Sequence, residues 1–109
     1  MRPVVVCLCG STRFSQEFHE ANLRETLAGR IILTIGCDTK GDEALNLTDI
    51  DKQRLDVLHL KKIDMADEIF VINPGGYIGE STRREIRYAT LRGKRIRFLD
   101  AESTQKGER

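Results

Sequence analysis

Three groups of residues in this 109-residue chain have the types and spacing to do chemistry. Gly10-Ser11-Thr12-Arg13 follows a valine-rich run directly, offering two hydroxyls, backbone N–H groups and a guanidinium that can fork onto a phosphate. A second loop, Asn73-Pro74-Gly75-Gly76-Tyr77-Ile78-Gly79, leads into a helix that opens near Ser81 and Thr82. A glycine-rich turn ahead of a helix N-terminus presents free N–H groups and a positive dipole end to an anionic or hydroxylated ligand. Glu85 sits one turn into that helix, where a carboxylate beside a sugar can attack or stabilise an oxocarbenium-like centre. Each feature also has a plainer account. Ser11 and Ser81 serve as ordinary helix caps, Arg13 lies on the surface, and Glu85 answers the helix dipole or pairs with Arg83, Arg84 or Arg87. Two anion-receptive loops at neighbouring strand ends are harder to explain by capping alone.

The third group lies on the helix between these loops. Taken at 100° per residue, Leu55, Leu58, Ile63, Met65 and Ala66 share an arc of roughly 160°, and His59 and Lys62 fall inside it. His59 is either a core histidine bonded to a carbonyl or a functional base, with Asp56 one turn before it. Lys62 snorkels in the plain account. Tyr77 is placed to stack on a base or to pack across the pocket mouth.

Positioning these groups requires a particular order of elements. Pro3 to Cys9, Arg30 to Ile35, Ile69 to Ile72 and Arg95 to Leu99 read as strands; the third is an apolar run without alternation, which suits burial on both sheet faces. Between them lie a helix from Phe14 or Ser15 to Gly29, with Phe14, Phe18, Ala21 and Leu27 as its apolar positions; a helix capped by Thr48 with Asp51 and running to about Ala66; and the helix behind Gly79, ended by Gly93. Cys37 to Leu47 reads as an exposed loop and residues 101–109 as a frayed polar tail after a single 1–100 domain. The order β-α-β-α-β-α-β predicts an α/β, Rossmann-like or flavodoxin-like three-layer sandwich with about four parallel strands, and ligand binding beyond their carboxyl ends.

With 18 basic and 17 acidic residues the net charge is +1, so nothing favours a nucleic-acid or membrane partner. Cys7 and Cys9 are read as lying on opposite faces of the first strand, which argues against a disulfide between them and for a reducing cytoplasm. With Cys37 they make an odd count without metal-ligand spacing. No G-x-G-x-x-G, G-K-S/T or Cys-x-x-Cys motif supports a dinucleotide, P-loop or zinc site.

Cys-x-Cys-Gly-Ser-Thr-Arg after the first strand, Ala66-Asp67 before the third, and Ser81-Thr82-x-x-Glu85-x-x-x-Ala89 resemble the nucleoside 2-deoxyribosyltransferase-like superfamily, which includes the 2'-deoxynucleoside 5'-monophosphate N-glycosidases. The resemblance implies cleavage or transfer at an N-glycosidic bond through a glutamate nucleophile at Glu85, phosphate binding at Gly10, Ser11, Arg13, Gly79 and Ser81, no metal or organic cofactor, and a homodimer or larger homo-oligomer. Thr12, Gly76 and Tyr77 complete the expected binding set. Two positions depart from the family pattern: an aspartate that assists the leaving base is replaced by His59, and a first-strand tyrosine by Cys7. His59 or Asp56 would then have to supply the proton. Pro74-Gly75-Gly76 is also similar to the signature of cytokinin-activating phosphoribohydrolases, but three extra residues separate it from Glu85. The competing expectations are a nucleotide-sensing module without turnover and, more weakly, an interaction protein with an empty pocket.

Overall fold

The computed structural model describes residues 2–35 and 47–100. Gly36, the loop from Cys37 as far as Asn46 and the tail 101–109 lie outside the described residues. Strand β1 (Val5–Gly10) leads through a 3-10 turn (Thr12–Phe14) into helix α1 (Ser15–Leu27); β2 (Ile31–Leu33), α2 (Asp49–Met65), β3 (Glu68–Ile72), a second 3-10 turn (Pro74–Gly76), α3 (Glu80–Leu91) and β4 (Arg95–Phe98) follow. The four strands form one parallel sheet in the order β2-β1-β3-β4. This is the expected α/β architecture. Because the chain leaves β1 towards one edge and β3 towards the other, a crevice opens between their carboxyl ends.

Period-two alternation sorts the strand residues into two cores. Cys7, Cys9, Ile69 and Val71 pack with Ile63 and Ala66 of α2 and its C-cap, and with Ala89 of α3. Val6, Leu8, Phe70 and Ile72 pack with Phe18 and Ala21 of α1. The same alternation corrects the reading of Cys7 and Cys9. Residues two apart share a face, so both thiols point towards α2 and α3, and both are free.

Helix faces also differ from the sequence reading. In α1 the inward residue after Phe18 and Ala21 is Glu25, seven residues from Phe18, while Leu27, almost half a turn further round, is 78% exposed. In α2 the buried arc centres on His59, Ile63 and Ala66; Leu58 and Met65 lie roughly 100–120° from His59 and are exposed. The start of α2 is as read: Thr48 Oγ1 accepts from Asp51 N–H and Asp51 accepts from Thr48 N–H. The start of α3 is one residue earlier than read, with Gly79 at the N-cap and no capping side chain.

Gly10 sets the width of the crevice. It pairs with Ile72 at φ +155°, and a β-carbon there would sit 2.7 Å from the Ile72 carbonyl oxygen and 3.3 Å from the Phe18 ring. Gly10→Ala is expected to cost about 1–3 kcal/mol from backbone strain alone, read as a lowered urea midpoint. An unchanged midpoint would show that the two strand ends can part freely.

Candidate active site

Beyond the carboxyl ends of β1 and β3 lies a cavity of about 560 Å³, inside the range of about 300–1,000 Å³ common for small-molecule sites. Gly10, Ser11 and Thr12 of the first loop line it together with Tyr77, Gly79, Glu80, Ser81, Thr82 and Glu85 of the second loop and α3. Leu55, Asp56, Leu58, His59 and Lys62 of α2 complete the lining with Lys52, Ile35 and Leu47. Glu85 therefore lines the same cavity as the first loop. Its ion pair is with His59, Nε2 to Oε1 3.8 Å, rather than with the arginines of its own helix.

The two loops are tied together and anchored from behind. Ser11 Oγ accepts from Arg13 N–H at 3.2 Å. The Arg13 guanidinium lies 4.6 Å from the centre of the Tyr77 ring, and Phe14 meets that ring edge-on at 5.9 Å. Arg13 thus stands at the rim and not in the wall. Gly76, at φ +85°, shapes the second turn without lining the cavity. Asn73 is fully buried; its Oδ1 accepts from Asp100 N–H at 2.9 Å, and Asp100 Oδ2 accepts from Gly75 N–H at 2.8 Å. This clamp from the end of β4 holds the glycine turn. Lys62 Nζ donates to the Thr34 carbonyl at 2.6 Å, fixing α2 to the end of β2.

The floor holds a group that sequence reasoning missed. His59 Nε2 lies 3.4 Å from Cys9 Sγ and 3.8 Å from Cys7 Sγ. No family model, curated protein or solved structure matches the chain. The chemistry of this site therefore has to be read from its own geometry. The bond from the Cys9 thiol, helped by His59 and Lys62, draws Cys7 down to about 6 against the opposing effect of burial. The same bond, burial and the nearby charges push Cys9 up. Burial disfavours the His59 cation, but bonding to Cys7 and the charges of Cys7 and Glu85 outweigh it and raise its pKa. Burial raises Glu85, opposed by the His59 charge and reinforced by Cys7 and Asp56.

Two thiols, an imidazole and a carboxylate thus meet at the bottom of one cleft. The expectation of no metal-ligand spacing needs correction accordingly: Cys7, Cys9 and His59 place three ligand atoms within 4.8 Å of one another. Cys-x-Cys on one face of a strand was the available signal, and His59 on an inward arc was its partner.

Proposed function

We propose that the cleft binds a nucleoside or nucleoside monophosphate and breaks its N-glycosidic bond by hydrolysis or transfer. The observation that carries this reading is the Glu85 carboxylate, 18% exposed, lining one cavity of nucleoside size together with the Gly10–Thr12 loop. The uncapped N-terminus of α3 and the amides of Gly10, Ser11 and Thr12 suit a phosphate or sugar hydroxyls. Arg13, held against Tyr77, supplies a fork at the rim, and Tyr77 offers an aromatic wall for the base.

In this reading a Glu85 oxygen bonds to the anomeric carbon as the bond from that carbon to the base nitrogen breaks. His59, as imidazolium, gives its proton to the departing base, with Asp56 at the mouth biasing the charge. Water, or a second base, then takes the sugar from Glu85. The 3.8 Å between Nε2 and Oε1 is shorter than the roughly 5–5.5 Å kept by acid and nucleophile in retaining glycosidases, so an entering sugar must part them. Involvement of His59 with both thiols favours the second reading, a binding module that holds a nucleotide without turnover.

The finer attributes belong to the same proposal. Free Cys7 and Cys9 suit a reducing cytoplasm. Among the described residues no helix is long and apolar enough to cross a membrane. Exposed Ile50, Val57 and Met65, which do not line the cavity, give α2 apolar outer positions suited to a second copy of the chain.

The test is to incubate the full chain, in a chelator, with a panel of ribo- and deoxyribonucleosides and their monophosphates, and to separate free base by chromatography. Release from one substrate class is expected. Nucleotide-induced thermal stabilisation with no base released would replace the enzyme by the binding module, and neither effect would remove both.

A further inference from the structure

We propose that the floor of the cleft is a binding site for one thiophilic divalent metal ion, zinc being the natural occupant, held by Cys7, Cys9 and His59, with Glu85 beside His59 to close the fourth position. Three separate elements bring these groups together. Strand β1 puts both sulfurs on one face, α2 aims Nε2 of His59 between them, and α3 supplies the carboxylate. The separations of Nε2 from Cys9 Sγ, Cys7 Sγ and Glu85 Oε1 are 3.4, 3.8 and 3.8 Å. Zinc bonds of about 2.3 Å to sulfur and about 2.0–2.1 Å to nitrogen or oxygen give tetrahedral edges of roughly 3.3–3.8 Å. The two sulfurs and Nε2, all within 4.8 Å of one another, therefore stand near three corners of such a tetrahedron, and Glu85 Oε1, 3.8 Å from Nε2, is the side-chain oxygen beside the fourth.

Donor chemistry selects the ion. Two thiolates with an imidazole favour zinc or another soft ion over magnesium or calcium, which take oxygen. The sulfurs are buried while His59 and Glu85 line the cavity, so the ion enters through the cleft. One feature limits affinity. A metal on Nε2 leaves the proton on Nδ1, which is buried and has no hydrogen-bond partner among the described residues. Outer-shell acceptors are typically worth 10–100-fold in affinity, so binding should be weaker than at a dedicated structural zinc site by about that factor. The metal proposal stands on the ligand geometry alone. Only its consequence, that a bound ion withholds His59 and Glu85 from glycosyl chemistry and so inhibits, rests on the enzyme reading.

The test uses the reduced full chain and cobalt(II) as a spectroscopic probe, with no nucleotide present. One equivalent should bind with a thiolate-to-cobalt charge-transfer band and the intense visible bands of a tetrahedral site, and zinc should displace it. Cys7→Ser and His59→Ala should lose the band, Cys37→Ser should keep it, and Glu85→Gln should weaken binding about tenfold or more. Where a cysteine variant fails to fold, X-ray absorption on the zinc-loaded wild type reads the ligands directly, with two sulfur and two nitrogen or oxygen neighbours expected. No charge-transfer band, a band lost in Cys37→Ser, or a shell with no sulfur or three sulfurs would overturn the site. Unchanged affinity in Glu85→Gln would remove the carboxylate from it. Base release is read separately in chelator, so the enzyme reading can fail while the metal site stands, and the reverse.

Discussion

Glu85→Ala is expected to lower release of free base by between roughly 10³- and 10⁶-fold, the span expected when a covalent nucleophile is removed. The loss should fall on the rate and not on binding, because the Gly10–Thr12 loop and the α3 N-terminus keep their amides. Nucleotide affinity in the variant should stay within a few-fold of wild type. Stability should hold or rise slightly, since burial raises the Glu85 carboxyl and so disfavours its charged form in the folded state. A side chain at the cavity wall leaves a space that water can fill, unlike a deletion in the closed core.

His59→Ala separates the acid from the nucleophile. General acid catalysis contributes about 10²–10⁴-fold, and its share shrinks when the leaving group departs without a proton. A substrate with an activated leaving group should therefore recover rate in His59→Ala but not in Glu85→Ala. Recovery in both variants, or in neither, would show that the two residues do not hold these roles. Because both belong to the proposed metal floor, the comparison is made in chelator, so that a bound ion does not masquerade as a catalytic defect.

Much of this arrangement was legible along the chain because it depends on local signals. The buried run Ile69–Ile72, the glycines after it and the Thr48–Asp51 capping box depend on neighbours a few residues away, and the sheet with its crevice follows from their order. What depends on angle around an element was less secure. Leu27 and Glu25 are two residues apart, yet one faces solvent and the other the core, because apolar character alone does not say which residue has a buried partner. Met65, 70% exposed, is likewise apolar without facing the core. Contacts across long sequence separations were not legible at all. Nothing near Asp100 marks it as the acceptor for Gly75, and no local pattern links Cys7 or Cys9 to a histidine some fifty residues later. That Glu85 and the first loop would line one cavity could be stated from the order of crossovers, since both lie at the strand carboxyl ends.

On the α1 side of the sheet, Arg97→Met is expected to cause the largest loss of stability, about 3–5 kcal/mol, out of the 5–15 kcal/mol typical of such domains. Arg97 holds two carboxylates at once. Nη2 donates to Glu25 Oε1 at 2.6 Å and Nε to Glu68 Oε2 at 2.9 Å, while the guanidinium lies 4.5 Å from the centre of the Phe70 ring. The Glu25 and Glu68 side chains are only 7% and 8% exposed, so removing the fork strands two desolvated charges. Arg30 and Arg95 stand 3.6 and 4.0 Å away and are too exposed to replace it. Methionine keeps most of the stem's volume, so the loss reports charge and not a cavity.

The pH dependence gives the sign. Burial alone would raise Glu25, but bonding to Arg97 and the charges of Arg97, Arg30 and Arg24 outweigh it and hold the carboxyl below its ordinary value of 4.5. A lowered folded-state pKa means stability that is fully present above that value and lost as pH falls through the folded-state pKa. Without Arg97 the opposing effect of burial is met by Arg30 and Arg24 alone, so the Glu25 anion is less favoured and acid penalises the variant less. The gap between wild type and Arg97→Met, read from urea unfolding, should therefore be widest near neutrality and narrow on acidification. Adding Glu25→Leu and Glu68→Leu to Arg97→Met should recover most of the loss, because a buried ionic network exchanged for apolar side chains is often neutral or better. A gap independent of pH, with no recovery in the triple variant, would mean that Arg97 acts through packing on Phe70 and not through its two carboxylates.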